Sequence, residues 1–199
     1  MKINSKWAVL AAMVAFGMMS SSANAQVVAR GGVARKNSSG GVTAARGAVA
    51  SGAKGRAARG GAVTTNGQGS GQAASGGAFK GANGASGARK SSTQWSNGSA
   101  THQGSASASG ANGSIQSSGS SSPAAGGPVT GSRSTTAQGV NGARYKGNTT
   151  SQNGTTTHTT TATSKTGTTY TGDTSATKGQ GVTHTGTCTN SAGQTVTCP

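Results

Sequence analysis

The chain has 199 residues, and 17 Lys and Arg stand against a single acidic side chain, for a formal net charge of +16. One carboxylate excludes paired-acid catalysis, and 36 glycines beside 3% aromatic residues leave too little apolar side chain to enclose a reaction site. Ordering each residue costs roughly 1 to 2 kcal/mol of backbone entropy, so the composition predicts a mostly disordered low-complexity chain.

Residues 1–25 read as an export signal. Lys2 and Lys6 precede a short apolar run from Trp7 to Met19, and Ser20 to Ala25 supplies small residues ending Ala23-Asn24-Ala25, which predicts cleavage before Gln26. That run is shorter than the roughly 20 residues of a bilayer span, no second apolar run follows, and no Cys stands after the cleavage site to carry a lipid. The expectation is a secreted or periplasmic bacterial protein without a transmembrane anchor.

Residues 26–90 carry ten cations and no acid: Arg30, Arg35, Lys36, Arg46, Lys54, Arg56, Arg59, Lys80, Arg89 and Lys90. Gly and Ala fill the gaps, which predicts a disordered arm that attracts polyanions such as lipopolysaccharide, extracellular DNA or acidic polysaccharide. The Ala-rich stretch from Val42 to Arg59 is interrupted by Gly47, Gly52 and Gly55, and its charges share no helical face, so no membrane-lying helix is expected. Arg30-Gly31-Gly32, Arg46-Gly47 and Arg59-Gly60-Gly61 resemble the Arg-Gly-Gly segments of RNA-binding proteins, over this arm alone. Those segments interleave base-stacking aromatics, and none occurs from Gln26 to Ala78. What the resemblance implies is nonspecific phosphate binding that salt weakens.

Residues 91–140 are uncharged to weakly basic and rich in Ser and Gly, the composition of a flexible linker, with Pro123 and Pro128 near its end. Trp95 and His102 lie within it without an assigned role. Asn37, Asn97, Asn112, Asn148 and Asn153 each open an Asn-x-Ser/Thr triplet, which chance explains at this Ser and Thr density.

Residues 141–199 contain a repeat. Tyr145, His158, Tyr170, His184 and Val196 recur every 12 to 14 residues, four of them between two threonines. Asn141-Gly142 and Asn153-Gly154 are hairpin turn signals, and Thr, Tyr and Val favour extended backbone. A small all-β unit is predicted, a meander or a short β-solenoid, with the central Tyr, His and Val side chains in a stripe on one face. Cys188 and Cys198 are expected to form a disulfide, since exported thiols oxidise and no close Cys-x-x-Cys spacing suggests a metal. His158 and His184 lack carboxylate partners, so no metal, cofactor or catalytic residue is assigned.

The leading expectation is a noncatalytic envelope or extracellular-matrix protein that binds polyanions electrostatically. One alternative is a self-assembling surface fibre that associates through exposed strand edges. Another is an ice-binding threonine array: Thr187-Cys188-Thr189-Asn190-Ser191 resembles one unit of the Thr-Cys-Thr repeat of insect antifreeze proteins.

Overall fold

The computed structural model describes residues 25–123 and 127–198; the export signal read at 1–25 lies, but for Ala25, outside them. The described chain is one antiparallel meander. Its strands are β1 (Ala25–Lys36), β2 (Val42–Gly52), β3 (Gly55–Thr65), β4 (Gly71–Gly81), β5 (Ser86–Ser96), β6 (Ser99–Gly110), β7 (Gly113–Pro123), β8 (Val129–Gly139), β9 (Arg144–Gln152), β10 (Thr155–Thr163), β11 (Thr169–Thr177), β12 (Gly181–Thr189) and β13 (Thr195–Val196). Strand order in the sheet is sequence order, so each strand pairs only with its chain neighbours.

This corrects two expectations. Residues 26–90, expected as an unordered arm, and 91–140, expected as a linker, run through β1 to β8, while the predicted all-β unit at 141–199 is the last part of the same sheet. The physical reason lies in the turns. Six connections share one five-residue design: Asn37–Gly41, Asn66–Ser70, Gly81–Ala85, Gly139–Ala143, Ser164–Thr168 and Asn190–Gln194. In each, the first N–H donates to the fifth carbonyl at 2.7 to 3.0 Å. The fourth residue of each is a Gly with φ between 78° and 91°, the left-handed region where a side chain would be strained. In three of them the leading Asn also accepts the fifth N–H on Oδ1, at 2.9 to 3.0 Å. Two tighter turns use Asn97-Gly98 and Asn153-Gly154, both residues at positive φ. Hairpins closed this locally cost little loop entropy, and Gly and Ala lose no rotamer freedom on ordering.

The register divides the sheet into two faces. Residues that stand opposite one another form rows across it, such as the row from Gly31 through Gly47, Gly60 and Gly76 to Lys90, and from there to Asp173 and Thr185. Counting alternate rows from this one, Phe79, Trp95, Tyr145, Tyr170 and all three histidines fall on the other face, together with Ile115 and Cys188. On this ring face Thr156, His158, Thr160 and Ala162 of β10 are half-buried, whereas Thr157, Thr159 and Thr161 of the open face are exposed. The expected stripe is therefore half right: Tyr145, Tyr170 and Val196 share one row, and His158 and His184 another on the same face.

Rings on this face lie over glycines. A β-carbon on Gly147 would collide with the Tyr145 hydroxyl, one on Gly172 with that of Tyr170, and one on Gly71 with the Trp95 ring. Each His meets the Thr across from it: Nδ1 of His102, His158 and His184 lies 2.8 Å from Oγ1 of Thr93, Thr149 and Thr174. Among described residues the one buried hydrophobic side chain is Cys188, 3% exposed, and Val33, Val140 and Val182 are about 70% open to solvent. The fold is a single layer held by its main-chain ladder, small cross-strand contacts and one covalent clamp, the predicted Cys188–Cys198 disulfide, with a Cα separation of 5.3 Å.

Candidate polyanion-binding surface

The ten cations predicted from sequence all sit on β1 to β5 or the turn at Lys54. The structure does not gather them on one side. Arg30, Lys36, Arg46, Arg59 and Arg89 belong to the ring face, and Arg35, Arg56, Lys80 and Lys90 to the open face. Arg30, Arg46, Arg59 and Arg89 occupy the two central rows of the ring face. Three of these four stand directly opposite a glycine: Arg46 opposite Gly32 and Gly61, Arg59 and Arg89 on either side of Gly77. A β-carbon on Gly77 would lie 3.3 Å from that of Arg59 and 2.9 Å from the Ala58 carbonyl oxygen, so a side chain has no room there. The second Gly of each Arg-Gly-Gly motif thus lies across from Arg46, while Arg30 itself stands opposite Ala48.

On the open face Arg56 and Lys80 are direct cross-strand partners. Like charges placed opposite destabilise a sheet, and the Lys54 turn adds a third cation at the same end of β2 to β4, where the Ala82 N–H donates to the Lys54 carbonyl at 3.1 Å. A bound anion between Arg56 and Lys80 would turn that repulsion into attraction.

Sequence reasoning missed Arg133, Arg144 and Lys146. Arg133 stands opposite Gly119 on the ring face and its Nε donates to Ser117 Oγ at 3.0 Å, while Arg144 and Lys146 lie two residues apart on the open face of β9. Counting alternate positions outward from the Asn141-Gly142 turn would have placed Arg133 on the strand before it and Arg144 and Lys146 on the strand after it. A groove of about 1370 Å³ crosses the middle of β3 to β9, lined mostly by Gly, Ser, Ala and Thr together with Lys90, Gln103, Arg133 and Asn148. Its lining contains no acidic side chain, so it can accept an extended anionic polymer without charge penalty. Among the described residues no group of three or more His, Cys, Asp or Glu converges, and no helix is long and apolar enough to cross a membrane. No family model, curated protein or solved structure matches the chain.

Proposed function

We propose that this is an exported, noncatalytic envelope or extracellular-matrix protein that holds linear polyanions by electrostatics through β1 to β5. The observation that carries the reading is the Arg56 and Lys80 pair, two cations held face to face on strands that bear no acid. Strands lie about 4.8 Å apart, so cations on successive strands present charge at close, regular steps to a polymer laid across them. Each phosphate neutralised releases counterions, and log affinity for double-stranded DNA should fall with log salt at about −0.9 per contact. Titration against DNA and lipopolysaccharide at several salt concentrations tests it. Affinity indifferent to salt rejects the reading.

A second reading, ice binding, draws support from the open face of β10 to β12. Thr157, Thr159 and Thr161 lie beside Thr171 and, one strand on, Thr183, Thr185 and Thr187, in a grid of about 4.8 by 6.8 Å. Asp173 and Ser175 interrupt that grid. Thermal hysteresis of the purified chain would establish this reading, and freezing indistinguishable from a control protein would remove it.

A further inference from the structure

We propose that copies of this chain join edge to edge, β12 of one receiving β1 of the next, so that the meander continues as a ribbon. This goes beyond polyanion binding and names the partner as a second copy. Two edges are open. Among the described residues β1 has no neighbour on its outer side, and β13 pairs only with Cys188 and Thr189, leaving the outer side of β12 open from Gly181 to Thr187. A strand edge of this kind is a template for another strand.

Direction and hydrogen-bond phase both match. Because β1 and β12 are the first and the last of twelve alternating strands, they run oppositely, and the next copy's β1 would be antiparallel to β12. The Asn37 N–H donates to the Gly41 carbonyl at 3.0 Å, which fixes the alternation along β1 and turns the main-chain groups of Gly32 and Ala34 outward. The Asn190 N–H donates to the Gln194 carbonyl at 2.9 Å, which likewise turns those of Val182 and His184 outward. Ala34 and Val182 occupy the same row of the sheet, as do Gly32 and His184. One register therefore satisfies the outward donors and acceptors and keeps the ring face continuous across the junction.

Charge selects this pairing over a β1-to-β1 contact. Two β1 edges brought together would set Arg30, Arg35 and Lys36 against their own copies, whereas Gly181 to Thr187 carries no formal charge. The contact is thus heterologous, and such a contact propagates unless its rotation closes a ring. A layer without a core gives the junction added weight, since pairing at an edge repeats the main-chain bonding that holds each copy together.

The test uses the full chain, and beside it the chain starting at Gln26, with two variants. Proline on an edge strand removes an outward donor while leaving the inner ladder intact, so Ala34→Pro blocks β1 and Val182→Pro blocks the outer edge of β12. The parent should form ribbons by electron microscopy. Each variant alone should sediment as a monomer, and an equimolar mixture should give a dimer, because one competent edge of each kind remains. Self-dimerisation of either variant, ribbons from either variant, or a mixture that stays monomeric would overturn the proposal. Should a variant lose its β circular dichroism, hydrogen exchange of the parent decides instead: the amides of Ala34, Val182 and His184 should exchange about a hundredfold more slowly at assembling concentration than on dilution. Equal rates would reject the junction.

Discussion

Replacing Cys188 and Cys198 together by Ala should loosen one end of the sheet and leave the other untouched. The disulfide closes a loop of 11 residues counted inclusively, from a sequence separation of 10. In the chain-entropy treatment such a loop restricts the open state by about 2.8 kcal/mol, so its loss should raise the population of open β12–β13 hairpin about a hundredfold. The rise should stay local because the described strands touch only their neighbours in sequence, which makes the sheet one-dimensional, like a repeat array, and lets it open from its ends. Native-state hydrogen exchange reads this amide by amide. Protection of the Asn190, Gly193 and Gln194 amides, which close the hairpin turn, should fall by about two orders of magnitude, with smaller losses in β12 and none in β1 to β5. An equal loss over every strand would refute the reasoning, since it would mean that the sheet opens as one cooperative body.

Gly172→Val should destabilise β11 and β12 by about 1 to 2 kcal/mol, because the Tyr170 ring must lift and its hydroxyl leaves His184 Nε2, now 3.0 Å away; urea unfolding followed by tyrosine fluorescence measures it. Lys80→Ser should have opposite effects on two readouts. It relieves the repulsion with Arg56 and should stabilise the sheet by a few tenths of a kcal/mol at low salt, while the salt slope of DNA binding shrinks by about 1. Denaturation and fluorescence titration at matched salt separate the two, and a parallel loss of both would point to misfolding rather than lost charge.

Where the chain folds was legible mainly in its turns. Asn141-Gly142 and Asn153-Gly154 marked hairpins and do form them, and Cys188 and Cys198 form the expected disulfide. The same signal stood at Asn66, Asn83, Asn97 and Asn112, inside stretches whose poverty of apolar side chains argued for disorder. That argument assumes that order needs a core. Here the strands are ordered with almost no burial, so a test built on hydrophobic content had nothing to register. The cations were legible as charge but not as geometry. Assigning Arg59 to the ring face and Arg56 to the open one takes a register, and a one-residue slip exchanges them.

A sheet whose strands touch only their neighbours should tolerate removal of an internal hairpin, a change that would gut a protein with a shared core. Deleting residues 99–127 joins Asn97-Gly98 at the end of β5 to Pro128 and Val129 at the start of β8. In the intact sheet Trp95 and Val129 both lie five residues from the central row on the same side, so the new hairpin brings Lys90 opposite Ser134 and keeps Trp95 on the ring face. Removing two strands preserves the alternation of direction, whereas removing one would set β5 and the following strand parallel with a connection far too short to return the chain. The shortened chain should therefore retain its β circular dichroism, its disulfide and the exchange protection of β1 to β3, and should still present β1 and β12 as edges of opposite direction. Loss of protection in β1 to β3, remote from the cut, would show that these strands depend on more than their neighbours, and the one-dimensional account would fail with them.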